Sequence, residues 1–396
     1  MSRRLVVLTL LYVAQGLPFG FFTQALPVRM REGGMSLGAI GFASLLAAPW
    51  ALKGVIAPLV DAHGSRRAWI VPLQLGAVVV LIVASFLPPE RALVPVLIAV
   101  FLSNALAAAQ DVATDALAVD VLAPKERGLG NGLQVAGYRV GMMLGGGALL
   151  IVLGTIGWGA ALRLLALGTA ITTLPLLMTK PPARKPAPRV RWAEIAAGLS
   201  RPHALLWFAL LAVYKLGDAI ATAMLRPMMV DRGLGAADVG LLLGQVGFGA
   251  GLFGALLGGG LVRELGRGRS LVSFGVLQAI GIAAYALPVP LPLAIGFEHL
   301  AGGMATAALF TCMMDACRPE LAATDYAVQA SLVVIATGLG AALSGVLAEA
   351  AGYAGCFAIA AAVALAGVAL AESLRRHGAL VLPAGSPLRV SAEDGL

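Results

Sequence analysis

This sequence has few of the charged residues that keep a soluble protein dispersed in water. Asp, Glu, Lys and Arg make up 12% of its 396 residues, whereas soluble domains carry about 25%. Hydrophobic residues make up 59%, and the mean hydropathy is +0.90. This balance excludes an ordinary soluble domain and predicts a polytopic membrane protein.

Cysteine and histidine are also scarce. Cys312, Cys317 and Cys356 lie in or beside apolar segments without a Cys-x-x-Cys pair, so we interpret them as packing residues. The four histidines form no cluster along the sequence, which argues against a metal site, and we expect no cofactor. We find no nucleophile and base at a catalytic spacing and expect no appended sensor domain after Leu374. A membrane enzyme or a sensor is therefore the remote alternative to a transporter.

The hydrophobic residues form twelve runs, each close to the roughly 20 residues that cross a bilayer as a helix. The first run is too long for the core of a signal peptide, so we expect a retained first helix. We predict an all-α polytopic membrane fold with twelve transmembrane helices in two pseudo-symmetric six-helix halves. The predicted spans are 5–28, 37–60, 68–87, 92–118, 128–153, 158–178, 203–226, 237–262, 270–288, 291–316, 325–350 and 353–373.

A basic, proline-rich segment separates the two sets of six spans. It carries six Lys or Arg residues against Glu194. Such a run also fits nucleic-acid binding, but a cytoplasmic loop of a membrane protein is expected to be basic, so we expect no nucleic-acid partner. The predicted divisions are an N-terminal half (1–178), a cytoplasmic linker (179–201), a C-terminal half (202–374) and a cytoplasmic tail (375–396).

Lysine and arginine are distributed unevenly between the two predicted sides of the bilayer. If the N-terminus is inside, nineteen of the 28 basic residues lie on that side, five lie in the outer loops and four lie within spans. Because cytoplasmic loops of membrane proteins are enriched in Lys and Arg, we predict that both termini are cytoplasmic.

The two halves resemble each other in sequence. At an offset of 195 residues, Asp120, Pro124, Gln134 and Gly145 align with Asp315, Pro319, Gln329 and Gly340. Two internally similar sets of six spans are typical of a transporter with a small-molecule substrate.

The fourth span carries two carboxylates, Asp111 and Asp115, which lie four residues apart and so share a helix face. A charged side chain at the bilayer centre costs about 2.5–3.5 kcal/mol on insertion scales. Binding of a proton or a solute in a wet cavity would explain this cost, and a structural salt bridge inside the bundle is the alternative.

Depth in the predicted spans gives candidate partners for the buried charges. Asp111 and Arg139 lie at similar distances from the turn near Pro124, so we predict that they pair and that Asp115 is the proton site. Lys53 lies about two turns before Asp61 on a similar face. Further candidates for the proton and substrate pathway are the pair Lys215 and Asp218, three residues apart, together with Gln15 and Glu298. Glu298 is either a second protonatable site or a helix-end residue.

The loop after the second span, Ala57-Pro-Leu-Val-Asp61-Ala-His-Gly64-Ser-Arg66-Arg67, resembles the signature loop of the major facilitator superfamily. Asp61, Gly64 and Arg66 match that signature, whereas Ala57 and Ala62 depart from it. The resemblance implies a cytoplasmic gate, to which we assign Asp61, Gly64, Arg66, Arg67, Asp120 and Arg127. An ordinary basic cytoplasmic loop is the alternative.

Several longer stretches resemble the AmpG-like permeases, a branch of that superfamily. They include YVAQGLPFGFFTQALPVRMREGGMSLGAIG, APWALKGVIAPLVD and AAAQDVATDALAVDVLAPKERGLGNGLQVAGYRVGMMLGGG. The resemblance implies proton-driven import of a bulky polar solute, muropeptide-like, across a bacterial inner membrane by a monomer. The positions that match are Lys53, Asp61, Asp111, Asp115, Arg127, Tyr138 and Arg139. A sibling group that imports siderophores of the pyochelin or rhizobactin type is the alternative.

Overall fold

The computed structural model describes residues 3–26, 46, 48–88, 92–179 and 203–379, and every element in these ranges is helical. The helices are α1 Arg3–Gly20, α2 Lys53–Ala62, α3 Arg66–Ala84, α4 Leu93–Val121, α5 Arg127–Met142, α6 Leu149–Leu177, α7 Ala204–Tyr214, α8 Leu216–Asp231, α9 Phe248–Leu265, α10 Arg267–Ala284, α11 Leu291–Asp315 and α12 Ala322–Arg376. Helical turns at Ala48–Ala51 and Ala236–Gly240, 3₁₀ turns at Pro124–Glu126 and Pro319–Leu321, and π-helical turns at Phe21–Ala25, Met143–Ala148 and Leu241–Gly247 complete the described elements. The all-α prediction is confirmed.

Eight helical stretches in the described ranges are long and apolar enough to cross a membrane. One of these stretches, 319–376, includes both of the last two predicted spans. Another, 204–231, includes both α7 and α8. The count of twelve spans stays a prediction. The linker beyond Thr179, the tail beyond 379 and the start of the second predicted span lie outside the described residues.

Two glycines break long helices at the places where the hydrophobic runs predict a loop. Gly157 interrupts α6 with φ 77° and ψ 167°, and Gly352 interrupts α12 with φ 68° and ψ 172°. Only glycine adopts this backbone conformation readily, since a Cβ atom would clash with the backbone of its own residue and its chain neighbours. The two breaks are 195 residues apart, which is the offset that relates the two predicted halves.

Two further interruptions lie beside lysines. The helix of the second predicted span breaks at Leu52, with φ −93° and ψ 2°, directly before Lys53. Lys215 itself separates α7 from α8, with φ −104° and ψ 0°. In membrane transporters, interrupted helices are typical of ion and substrate sites because the break frees backbone polar groups.

The described residues cluster into two compact units. Unit 1 comprises Met1–Val121, Ala136–Arg189 and Glu320–Ala327, and unit 2 comprises Leu122–Val135, Val190–Pro319 and Val328–Leu396. The boundaries of the two predicted halves stay predictions.

Unit 1 is held together by close approach of α1 and α5. A Cβ atom on Gly16 would lie 2.9 Å from the Gly141 Cα atom, and a Cβ atom on Gly141 would lie 2.8 Å from the Gly16 Cα atom. Small residues allow such contact between membrane helices. On the other side of α1, an apolar core forms around Phe21, whose ring lies 5.3 Å from that of Trp158.

Unit 2 uses the same device where α9 packs on α11. A Cβ atom on Gly254 would meet the Leu300 carbonyl group, and a Cβ atom on Gly258 would lie 2.5 Å from the Met304 Cα atom. These glycines of the eighth predicted span are therefore packing residues. A second apolar core lies among α8, α10, α11 and α12 around Leu225, Ile282 and Phe357.

Candidate functional site

The two carboxylates of α4 lie inside unit 1. Asp111 is 6% exposed and Asp115 is 2% exposed. They lie on one face of a helix that is otherwise built largely from alanine and aliphatic residues. Their burial means that any charge on them requires a partner within the unit.

Lys53 on α2 supplies that partner. Its Nζ atom lies 2.5 Å from the Asp111 Oδ2 atom and 3.6 Å from the Asp115 Oδ2 atom. Sequence reasoning did not identify Lys53 as a partner of either carboxylate, and the assignment of Asp115 as the proton site stays a prediction. The pairing of Asp111 with Arg139 stays a prediction, whereas the contact that the structure gives Asp111 is with Lys53. Arg139 is half-buried on α5 and has an interaction of its own.

A tyrosine that sequence reasoning did not identify completes the carboxylate cluster. Tyr12 on α1 donates a hydrogen bond of 2.9 Å from its hydroxyl group to the Asp115 Oδ1 atom, and the tyrosine is 2% exposed. Asp115 thus has a lysine on one oxygen and a neutral donor on the other. We call Tyr12, Lys53, Asp111 and Asp115 the unit 1 charge cluster.

Unit 1 also contains a group of interacting aromatic and amide side chains. The rings of Phe19, Trp50 and Tyr138 lie 5.6 to 6.4 Å apart, and the Trp50 indole group donates to the Asn104 Oδ1 atom over 3.3 Å. Gln15 is 1% exposed, and its Nε2 atom has no hydrogen-bond partner among the described residues. A buried amide donor without a partner is costly.

The cluster holds two potential negative charges and one positive charge. With Lys53, Asp111 and Asp115 all ionised, its net charge is −1. A single proton on either carboxylate makes it neutral. The cost of an unbalanced charge in a low-dielectric interior is several kcal/mol, which favours proton binding there.

Unit 2 contains a second buried polar cluster. The Lys215 Nζ atom lies 2.7 Å from the Asp218 Oδ2 atom, which confirms the predicted pair. Lys215 also donates to the Gln278 Oε1 atom over 3.2 Å. Glu298 lies about two turns inside α11 and is 2% exposed, so the helix-end alternative for this residue is wrong.

A charged network lies at the end of α2 in unit 1. Arg66 joins two carboxylates, with 2.9 Å to Asp61 and 2.9 Å to Asp120. Asp61 also accepts hydrogen bonds from the backbone N–H groups of Ala323, at 3.2 Å, and of Thr324, at 2.7 Å. These N–H groups lie in the first turn of α12, where the helix dipole favours a negative charge.

Two other residues that were assigned to the gate, Gly64 and Arg67, lie at the turn between α2 and α3 and in the first turn of α3. Gly64 has φ 67°, which allows the sharp turn between α2 and α3. Arg67 donates to the Thr179 carbonyl oxygen at the end of α6 over 3.0 Å. Sequence reasoning identified these residue types but not the backbone of α12 as their partner, because that partner is more than 260 residues away.

An equivalent network lies in unit 2. The Asp315 carboxylate accepts from Arg127 at 2.7 Å and from Arg267 at 2.8 Å, and Arg267 also donates to the Pro124 carbonyl oxygen. Arg267 follows α9 as Arg66 follows α2, and Asp315 is related to Asp120 by the offset of 195. The similarity between the two halves at Asp120 and Asp315 therefore includes an arginine partner for each aspartate.

Comparison with known proteins agrees with this all-α fold. The family model of the Major Facilitator Superfamily matches residues 8–339. The chain belongs to this superfamily. It is therefore a transporter and a multi-pass membrane protein of the superfamily, and its relatives and fold are those of permeases rather than of enzymes.

The relatives identify the branch. The chain is 31% identical to the anhydromuropeptide permease of Escherichia coli strain K12 over 387 residues, which cover 93% of this chain and 79% of the relative. The resemblance to AmpG-like permeases is thus confirmed.

Solved structures show the same fold at low sequence identity. The human organic anion transporter MFSD10 has a TM-score of 0.75 at 16% identity and covers 93% of this chain and 99% of its own. The fucose:proton symporter of E. coli has a TM-score of 0.75 at 13% identity and covers 93% and 98%.

Proposed function

We propose that this chain is a proton-driven importer of a bulky polar solute of the muropeptide class. The relative at 31% identity is an anhydromuropeptide permease, which supports the substrate class. The distribution of Lys and Arg supports an inner-membrane orientation with both termini in the cytoplasm. We further propose that the chain functions as a monomer.

The observation that carries proton coupling is the unit 1 charge cluster. Lys53 is closer to Asp111 than to Asp115. Protonation of Asp115 therefore gives up less electrostatic attraction to the Lys53 ammonium group than protonation of Asp111 does. Protonation of Asp115 leaves a balanced Lys53–Asp111 pair and a neutral acid beside the Tyr12 hydroxyl group. A proton drives the conformational cycle only through its different affinity for the two states of the carrier. The unbalanced and neutral forms of this cluster provide such a difference.

The aromatic and amide side chains of unit 1 support a polar substrate. Gln15 offers a buried amide donor, and Phe19, Trp50 and Tyr138 offer aromatic faces that pack against sugar or peptide groups. Arg139 carries a positive charge on the same unit and suits the carboxylates of a peptide stem.

We assign the cytoplasmic gate to the two arginine–aspartate networks. Asp61, Arg66 and Asp120 tie α2, α3 and α4 to the first turn of α12 in unit 1. Asp315 ties Arg127 to Arg267 in unit 2. Each network is made of charge-assisted hydrogen bonds that water can replace, and such contacts suit a latch that opens and closes.

Uptake into proteoliposomes tests the proposal. Wild-type protein is expected to accumulate labelled anhydromuropeptide when an inward proton gradient is imposed. We expect Asp115→Asn to reduce this accumulation at least tenfold while it retains counterflow of the labelled solute, which needs no net proton movement. Glu264→Gln removes an exposed carboxylate and is the matched control.

Two results would change the proposal. Undiminished gradient-driven accumulation by Asp115→Asn would remove Asp115 from proton coupling. Uptake of a ferric siderophore and not of a muropeptide would replace the substrate class and leave the proton site standing.

A further inference from the structure

Unit 2 repeats the charge composition of the unit 1 charge cluster with different helices. Lys215, Asp218 and Glu298 are one lysine and two carboxylates, as are Lys53, Asp111 and Asp115. We propose that Glu298, together with its neighbour His299, is a second proton-binding site, so that each unit takes up one proton. This inference deepens the proposed proton coupling and rests on it for its role in transport.

The contacts of Glu298 are with neutral donors and a histidine. Its Oε2 atom lies 3.3 Å from the Tyr285 hydroxyl group and 2.8 Å from the His299 Nδ1 atom, and its Oε1 atom lies 3.4 Å from the Gln278 Nε2 atom. The approach of His299 is an ion-pair distance, but its angle is not that of a hydrogen bond. A proton on either Glu298 or His299 balances the charge of the pair.

The lysine of this cluster is occupied by the other carboxylate. The Lys215 Nζ atom contacts Asp218 at 2.7 Å, Gln278 at 3.2 Å and the Gly302 carbonyl oxygen at 3.5 Å. Asp218 also interacts with Glu298. Two neighbouring carboxylates resist being ionised together, and one lysine balances only one of them. The remaining charge therefore calls for one proton.

Polar groups and glycines from several helical segments approach Glu298. The titratable and polar groups that face it are Lys215 and Asp218 at the α7–α8 break, Gln278 and Tyr285 from α10 and its end, and His299 on α11. A Cβ atom on Gly281 would lie 2.7 Å from the Glu298 Cα atom, and one on Gly302 would lie 3.3 Å from its Oε1 atom. The imidazole ring packs on Gly247, where a Cβ atom would lie 2.8 Å from its Cδ2 atom.

This packing distinguishes Glu298 from an exposed acid. Glu298 is 2% exposed, and glycines from three helical segments approach it or its neighbour His299 closely. Lys215, Gln278 and Tyr285 all belong to unit 2, so the groups around this proton site come from one unit.

The test uses full-length protein in liposomes and measures proton binding without any substrate. Infrared difference spectra between acid and alkaline pH report the C=O stretch of buried carboxylic acids. NMR of histidine-labelled protein reports protonation of the imidazoles, and the chain has only four histidines. His299→Asn identifies the His299 signal. Glu264→Gln, which alters an exposed acid, is the control for both measurements.

We expect Glu298→Gln to remove a carboxylic-acid signal that Asp115→Asn retains, or to displace the midpoint of His299 protonation by at least one pH unit. One unit is a tenfold change in proton affinity. In transport, the ratio of protons to solute is expected to fall from two to one. If Glu298→Gln changes neither spectrum relative to wild type, the inference is overturned.

The two proposals fail separately. If Asp115→Asn alone changes the spectra, the unit 1 site stands and the unit 2 site is overturned, whereas changes in Glu298→Gln alone do the opposite. Should Glu298→Gln not fold, Glu298→Asp keeps an acid on a shorter side chain. That variant is expected to keep a carboxylic-acid signal at a displaced frequency, and an unchanged spectrum would count against the site.

Discussion

Lys53 and Asp111 form a buried ion pair with an Nζ–Oδ2 distance of 2.5 Å, and their side chains are only 6% and 8% exposed. The pair joins α2 to α4 directly after the helix interruption at Leu52. Asp115 is 3.6 Å from the same ammonium group. Removal of the lysine therefore leaves two buried carboxylates, which is worse for stability than removal of either acid.

We predict that Lys53→Met destabilises the protein more than Asp111→Asn does. Breaking a buried ion pair from one side costs about 3–5 kcal/mol because the remaining charge has no partner. The double variant Lys53→Met/Asp111→Asn is expected to recover part of this loss, since only Asp115 then needs a proton. Unfolding in detergent, analysed as a double-mutant cycle, measures the coupling.

Lys125→Met is the control, because Lys125 is exposed in the turn before α5. A substitution at such a position changes stability by no more than about 0.5 kcal/mol. Equal stability of Lys53→Met and Lys125→Met would mean that the Lys53 contacts are energetically unimportant.

A second prediction concerns Asp61. The carboxylate accepts hydrogen bonds from Arg66 and from the N–H groups of Ala323 and Thr324. Asp61→Asn removes the charge and turns one acceptor into a donor that faces other donors. Hydrogen bonds to charged groups contribute about 1.5–3 kcal/mol, and we expect a loss of that order in unfolding free energy together with a transport rate reduced at least tenfold.

Asp238→Asn provides the comparison for Asp61→Asn. Asp238 is exposed and its contact is local, with its Oδ2 atom accepting from the Gly235 N–H group at 3.2 Å. We expect wild-type transport from this variant. Wild-type transport from Asp61→Asn as well would exclude Asp61 from the gate.

Local sequence relationships were predictable, whereas contacts between distant helices were not. Lys215 lies at the break before α8 and Asp218 lies in the first turn of α8, three residues later, so their spacing alone indicated the pair. Lys53 and Asp111 are 58 residues apart, and hydropathy gives the depth of each helix but not its rotation about its axis. The predicted depth of each residue in the bilayer therefore indicated Arg139 as the partner of Asp111 and did not indicate Lys53.

The same limit explains the missed tyrosine. Tyr12 lies in an apolar run and has the pattern of a packing residue, and its role at Asp115 depends on how α1 is placed against α4. In contrast, the loops at Gly157 and Gly352 were predictable, because each falls between two hydrophobic runs and glycine permits the break.

A third prediction tests the packing of α1 on α5. Gly16→Ala would place its Cβ atom 2.9 Å from the Met142 backbone nitrogen and against the Tyr138 carbonyl oxygen. Because backbone atoms cannot move aside as a flexible side chain does, the helices must separate. We expect a loss of about 1–3 kcal/mol, measured by thermal unfolding in detergent.

Gly260→Ala is the matched substitution for Gly16→Ala. Gly260 lies within α9, and a Cβ atom there would meet nothing within 4 Å. Alanine is favoured over glycine in a helix by about 0.5–1 kcal/mol, so this variant is expected to be as stable as wild type or more so. If Gly16→Ala behaves like Gly260→Ala, the α1–α5 contact is not tight.

The last prediction uses the two related breaks at Gly157 and Gly352. A Cβ atom at either position would meet nothing within 4 Å, so any cost of alanine comes from the backbone conformation alone. The conformation is accessible almost only to glycine, and such strain costs about 1–3 kcal/mol. Gly157→Ala and Gly352→Ala are therefore expected to lose similar amounts of stability in thermal unfolding.

Nearby glycines separate backbone strain from crowding. Gly154 in α6 and Gly345 in α12 also have open space at the Cβ position, and neither has a positive φ. Alanine at these two positions is expected to be neutral or stabilising by up to about 1 kcal/mol. If all four variants are equally stable, the helices do not require the glycine conformation at the breaks. A loss of stability confined to Gly157→Ala and Gly352→Ala would establish that a glycine with positive φ interrupts a helix at both of these related positions.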